Sequence, residues 1–130
     1  RRVRDNTTKH TLENIKEVPE CVINIVNYNM VQQVSLSSCD YPKGTSEFVK
    51  AGFTELASEL VRPPRVAESP IQLECIVQEV IALGAQAGAG NLVLAEIKKI
   101  HLHYSIYAYG NTSRKKLFML SFLVATSNIS

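Results

Sequence analysis

The sequence predicts a mainly β domain with a few short helices, an α+β architecture, from three observations. Cys21-Val22-Ile23-Asn24-Ile25-Val26 is a nearly continuous apolar, β-branched run, which reads as a strand covered on both faces. From Ile71 the chain alternates, with Ile71, Leu73, Cys75 and Val77 on one face and Gln72, Glu74 and Gln78 on the other. That pattern predicts a half-buried antiparallel strand. A small-residue connector, Gly84 to Gly90, then leads into a long return strand, Asn91 to Tyr104.

Length and composition set the class. At 130 residues the chain reads as a single domain over 1–130, and 45% hydrophobic with 20% charged residues argues against disorder. A net charge of +2, without basic residues interleaved with aromatics, excludes a nucleic-acid surface. The longest apolar candidate, Leu117 to Ala125, is interrupted by Ser121 and is too short to span a membrane. Cys21, Cys39 and Cys75 form no Cys-x-x-Cys pair, and two of them lie in apolar strand patterns, so buried free thiols in a reducing, cytoplasmic compartment are expected. His10, His101 and His103 are not spaced with the cysteines as zinc ligands.

At the start, Arg1, Arg2, Arg4, Lys9 and His10 crowd ahead of Thr11 to Glu17. This segment predicts a short amphipathic helix with Leu12 and Ile15 on one face. A helix's first turn carries unpaired N–H groups and the positive end of its dipole, so a Thr11 hydroxyl beside Lys9 suits a phosphate. The same residues also read as a plain solvated surface.

Tyr28 to Ser38 predicts a second helix, capped by Asn27 or Asn29, with Met30 and Val34 on one face. Its serine-rich end passes into the loop Tyr41-Pro42-Lys43-Gly44. Ser46 is placed to cap Glu47 to Ala51, a one-turn packing element with Phe48 buried and Gly52 as its left-handed terminus. Thr54 to Arg62 carries Leu56, Leu60 and Val61 toward Pro63-Pro64, which fix an extended path. Arg65 and Glu68 either pair with each other to pin a loop or serve a site.

In the return strand, Val93, Ala95 and Ile97 share a face with Lys99, His101 and His103, so polarity changes midway. A strand that bends from core to rim, helped by a bulge, would do this. His101 and His103 are read as surface strand residues.

The order of residues also carries a family likeness. Lys9-His10-Thr11-Leu12-Glu13-Asn14-Ile15, then Val22-Ile23-Asn24-Ile25, resembles the Lys-Asp-Thr-x-x-Asn-Ile helix and Asn-containing strand of the flavin reductase-like, flavoredoxin-type family of FMN-binding split barrels. The likeness continues through Pro42 to Phe48, Ala51-Gly52-Phe53-Thr54, and Pro63-Pro64-Arg65-Val66-Ala67-Glu68-Ser69-Pro70 with Leu73-Glu74-Cys75. It ends near His103. The resemblance implies a split β-barrel whose first strands are absent from this chain, and which is shortened after about residue 104, with Leu117-Phe118-Met119-Leu120 as a terminal piece.

No Gly-x-Ser-x-Gly nucleophile, paired His-Glu metal motif or Walker loop occurs. A flavin protein needs none, because the isoalloxazine itself carries hydride and electrons. The resemblance implies an FMN-binding oxidoreductase that takes hydride from NAD(P)H and passes electrons to free flavin or another acceptor. It assigns the phosphate to Lys9 and Thr11, with His10 standing where the family often has Asp, and further flavin contacts to Ser37 and Ser38. It implies a homodimer with flavin at the subunit boundary. Two alternatives belong to other classes: an electron carrier that holds FMN without nicotinamide chemistry, and a structural homodimer without flavin.

Overall fold

The computed structural model describes residues 8–37, 39, 42, 44–104 and 121–126. Its elements in chain order are α1 (His10–Glu17), β1 (Glu20–Val26), a 3-10 turn (Tyr28–Met30), α2 (Val31–Ser37), α3 (Glu47–Ala51), β2 (Glu55–Leu56), β3 (Arg65–Val66), β4 (Ile71–Ala82), β5 (Asn91–Leu102) and β6 (Ser121–Thr126). Four strands form one antiparallel sheet in the order β5-β4-β1-β6, and β2 pairs with β3 in a small ribbon.

β1 is central, as its unbroken apolar run requires. On one face Cys21 joins Cys75, Val77 and Ile15 of α1 in a buried cluster. On the other, Val22 packs with Val61 and Ala125, and Val26 with Met30, Ala51, Phe53 and Val66. The predicted second helix is split: Tyr28–Met30 is a 3-10 turn, and α2 begins only at Val31. Phe48 is half-buried and packs against two of these clusters, while Ala51 provides the buried contact of α3. Gly52 ends α3 at φ 74°, where only glycine is unstrained. β6 was not expected from sequence. Ser121–Thr126, which overlaps the apolar stretch too short for a membrane, pairs with β1 and is the edge strand on that side among the described residues, with Ile23 opposite Val124. The proposed terminal piece 117–120 lies outside the described residues.

The largest departure from the sequence pattern is on β4. Alternation assigns Gln72 and Glu74 to the open face, yet both are buried, with Glu74 wholly excluded from solvent. That face is covered by residues 54–69, which have little regular structure and so need hydrogen-bond partners for their backbone. The buried side chains supply them. Glu74 accepts from the N–H groups of Glu59 (3.0 Å), Leu60 (2.7 Å) and Val61 (3.2 Å). Asn24 Oδ1 accepts from the Val66 N–H (3.0 Å), and Gln72 Nε2 donates to the carbonyls of Val66 (2.7 Å) and Ser69 (3.1 Å). Arg65 and Glu68 are not an ion pair: Arg65 donates to the Ala57 carbonyl and to Gln72 Oε1, while Glu68 accepts from the Thr54 N–H.

The polarity switch in β5 has a bulge as its cause. Ala95 and Ile97 stand opposite Val77 and Cys75, on the face that carries α1, whereas Lys99 stands opposite Glu74. The register slips between Glu74 and Cys75, so Lys99 and His101 turn to the other face. There Lys99 pairs with Glu59 and His101 Nε2 with Glu74. His101 is therefore not a surface residue: its side chain is 15% exposed and closes the pocket around a buried carboxylate. Burial pushes the Glu74 carboxyl up. The His101 hydrogen bond and the Leu60 and Val61 N–H groups outweigh it, and the net pKa lies below the ordinary 4.5.

Two outcomes are expected. Because the folded-state pKa of Glu74 is depressed, its contribution is complete above the ordinary carboxylate value and is lost as pH falls through the lower folded value. Glu74→Gln should cost roughly 2–4 kcal/mol at neutral pH in urea unfolding. It should also flatten the acid limb of the stability curve, and an unchanged acid limb would refute the assignment. The thiols give the second test. Burial, then the neighbouring Cys75, raises Cys21 to about 11, and burial raises Cys75. Cys39 alone of the free cysteines is exposed, so a chromogenic disulfide reagent should titrate one thiol in the native chain and three after unfolding.

Candidate functional site

α1 begins without a side-chain cap. Lys9 is its N-cap residue, extended at φ −73° and ψ 145°, and its carbonyl accepts from the N–H groups of Leu12 (3.0 Å) and Glu13 (3.2 Å). Thr8 Oγ1 donates to Glu13 Oε1 (2.8 Å), closing the turn from outside. Thr11 Oγ1 has no hydrogen-bond partner among the described residues. The helix is docked at both ends, by Ile15 in the core and by Asn14 Nδ2 donating to Thr126 Oγ1 of β6 (3.1 Å).

A cleft of about 440 Å³ opens at this helix start. That is the size class of small-ligand pockets. His10, Thr11 and Asn14 form one wall, and Ser46, Glu47 and Phe48 at the start of α3 form another. Arg62 and Pro64 close the side made by the irregular 54–69 segment, and Val124 to Thr126 form the side made by β6. The lining therefore combines an apolar surface, from Phe48, Pro64, Val124 and Ala125, with polar groups at the helix start.

The charges are mixed. His10 and Arg62 face Glu47 and Glu55 within the same lining. Burial pushes the Glu47 carboxyl above its ordinary value, and the nearby His10 partly opposes this.

The sequence-predicted residues separate clearly. His10 and Thr11 come together in the cleft. Lys9 is exposed beside it, and its side chain is not part of the lining. Ser37 is buried elsewhere, because its hydroxyl donates to the Val34 carbonyl (2.8 Å) at the end of α2. Ser38 lies outside the described residues. Sequence reasoning missed Glu47 and Arg62. The signal for Arg62 was present: a cation directly before Pro63-Pro64 sits on a backbone with few alternatives.

Comparison with known proteins places the chain. The flavin reductase like domain model matches residues 5–117. An uncharacterized protein of Halalkalibacterium halodurans is 38% identical over 104 residues, covering 78% of this chain and 48% of that protein. Among solved structures, nitrilotriacetate monooxygenase component B from Bacillus cereus superposes with a TM-score of 0.74 at 26% identity, over 82% of this chain and 54% of that one. A split barrel domain protein from Shewanella frigidimarina, assigned as a flavin reductase, gives 0.67 at 28% identity, over 73% and 47%. The chain thus spans about half the length of the relatives it matches. Its antiparallel sheet with short helices is that of the split-barrel flavin reductases, and the chain belongs to the flavin reductase-like domain family.

Proposed function

We propose that the chain holds FMN in the cleft at the start of α1, as part of an oxidoreductase that draws electrons from NAD(P)H and delivers them to free flavin or another acceptor. The observation that carries this reading is the meeting of Thr11 and His10 with an apolar wall in one cleft, in a chain of the flavin reductase-like family. The Thr11 hydroxyl and the first-turn N–H groups hold the phosphate, and Lys9 adds positive charge at the lip. His10 stands where a carboxylate would repel the phosphate, so it favours the bound anion. Phe48 and Pro64 give the ring an apolar bed and exclude water from it. Bound FMN supplies hydride and electron transfer. The Bacillus cereus neighbour is one component of a monooxygenase, which supports an acceptor that is a separate molecule.

The partner in this reading is a second copy of the chain. Among the described residues β5 is an edge strand of twelve residues whose Leu92, Leu94, Ile97, Ile100 and Leu102 are all exposed. A long apolar edge is an aggregation hazard unless it is covered. A two-fold contact across β5 would cover it in both copies.

Titration of the chain with FMN, followed by flavin fluorescence, tests the site. Saturation in the micromolar range is expected, with Thr11→Ala weakening binding roughly three- to tenfold. Absence of saturable binding sinks the reading. Loss of nicotinamide absorbance on adding NADH or NADPH with FMN then separates an oxidoreductase from a passive flavin carrier. Sedimentation should give a dimer that Ile97→Glu converts to monomer, and a monomeric wild-type chain would rule the interface out.

A further inference from the structure

The cleft contains an arginine on an unusually constrained mount. The N–H groups of four consecutive residues, Glu59 to Arg62, are all taken by two carboxylates from adjacent strands. Glu74 of β4 accepts from Glu59, Leu60 and Val61, and Glu20 Oε2 of β1 accepts from Arg62 (2.9 Å). Immediately after comes Pro63, wholly buried, whose carbonyl accepts from Ser58 Oγ. A residue before proline is confined to extended backbone. Arg62 is therefore fixed from both sides, and its main chain has little freedom left to lose when a ligand binds.

Among the described residues Lys98 pairs with Glu96, Lys99 with Glu59, and Arg65 spans the Ala57 carbonyl and the Gln72 amide, whereas the side chains of Lys9, Lys16, Lys50 and Arg62 make no such contact; of these four, Arg62 is the one that lines the cleft. Arg62 is exposed and lines the cleft, and its guanidinium makes no hydrogen bond or ion pair among those residues, although Glu47 and Glu55 line the same space. Five donors in a planar fork, carried by a pinned backbone at a cleft that the start of α1 also lines, suit a phosphate oxygen pair.

We infer that Arg62 is the residue through which the cleft recognises the dianionic phosphate of its ligand, with Glu20 and Glu74 as positioning residues that hold it by the backbone. This rests on the flavin reading above and deepens it. The phosphate is gripped from two walls, by Thr11 and the start of α1 on one and by Arg62 on the other. Lys9, outside the lining, contributes only long-range charge. Arg62 so placed makes the site select phosphorylated over unphosphorylated flavin.

The test compares FMN with riboflavin, which shares the ring and lacks the phosphate. The wild-type chain should bind FMN more tightly. Arg62→Gln should weaken FMN about tenfold or more while leaving riboflavin within about twofold, so that the preference collapses. Arg62→Lys, which keeps charge but not the fork, should fall between them. Glu20→Ala should lower the FMN preference by about threefold without changing far-UV circular dichroism or riboflavin affinity, a readout that a merely structural role would not move. An unchanged FMN preference in Arg62→Gln overturns the inference and leaves the flavin reading standing. Equal loss of both ligands overturns it too, by making Arg62 a structural residue. A wild-type chain that binds neither flavin fails the underlying reading and the inference with it.

Discussion

The buried carboxylate of Glu74 is the contact on which the described structure turns. A charge with no solvent exposure is costly unless its oxygens are fully engaged, and here three backbone N–H groups and His101 engage them. The dependence runs both ways. Residues 59–61 are not in a strand or helix, so without Glu74 the N–H of the buried Val61 would lose its partner and those of the exposed Glu59 and Leu60 would be left to solvent. Asn24, Gln72 and Ser69 repeat the arrangement along the same sheet face. Together they tie an irregular segment to the sheet face.

This explains which parts of the fold were legible in the sequence. β1 was, because a continuous β-branched run has no good alternative to a strand with two covered faces. The β4–β5 hairpin was legible from alternation on both sides of a Gly- and Ala-rich turn. The burial of Gln72 and Glu74 was not, because binary pattern reads a polar residue as solvated. Only the path of residues 54–69 across that face makes it a partner. β6 was hidden for a different reason. A six-residue apolar strand has no periodicity of its own to separate it from a helix or a core fragment, and only pairing with β1 defines it.

The candidate site divides in the same way. His10 and Thr11 were readable because a helix start advertises its donors by position, and local spacing is enough to find them. Ser37 does not line this cleft: a serine in the last turn of a short helix bonds back to the carbonyl three residues earlier, and its hydroxyl donates to Val34. Arg62 and Glu47 reach the cleft from segments 35 or more residues further along the chain, so only the tertiary path brings them to Thr11. What sequence supplied for Arg62 was rigidity, through Pro63-Pro64, and not direction.

The polar pins and the cleft are one device seen from two sides. A regular strand over residues 57–64 would spend its N–H groups on a ladder and turn alternate side chains to opposite faces. The observed path spends them on Glu74 and Glu20 beneath it, which frees the segment to place Val61 in the core and Arg62 at the cleft in consecutive positions. Opposite this wall, Asn14 ties α1 to β6, so the helix start is held against the same sheet. Both walls are anchored to β1, directly or through its two neighbours β4 and β6. The central strand therefore sets the spacing across the cleft, and a change in the packing of β1 should be felt by a ligand that touches neither of its faces.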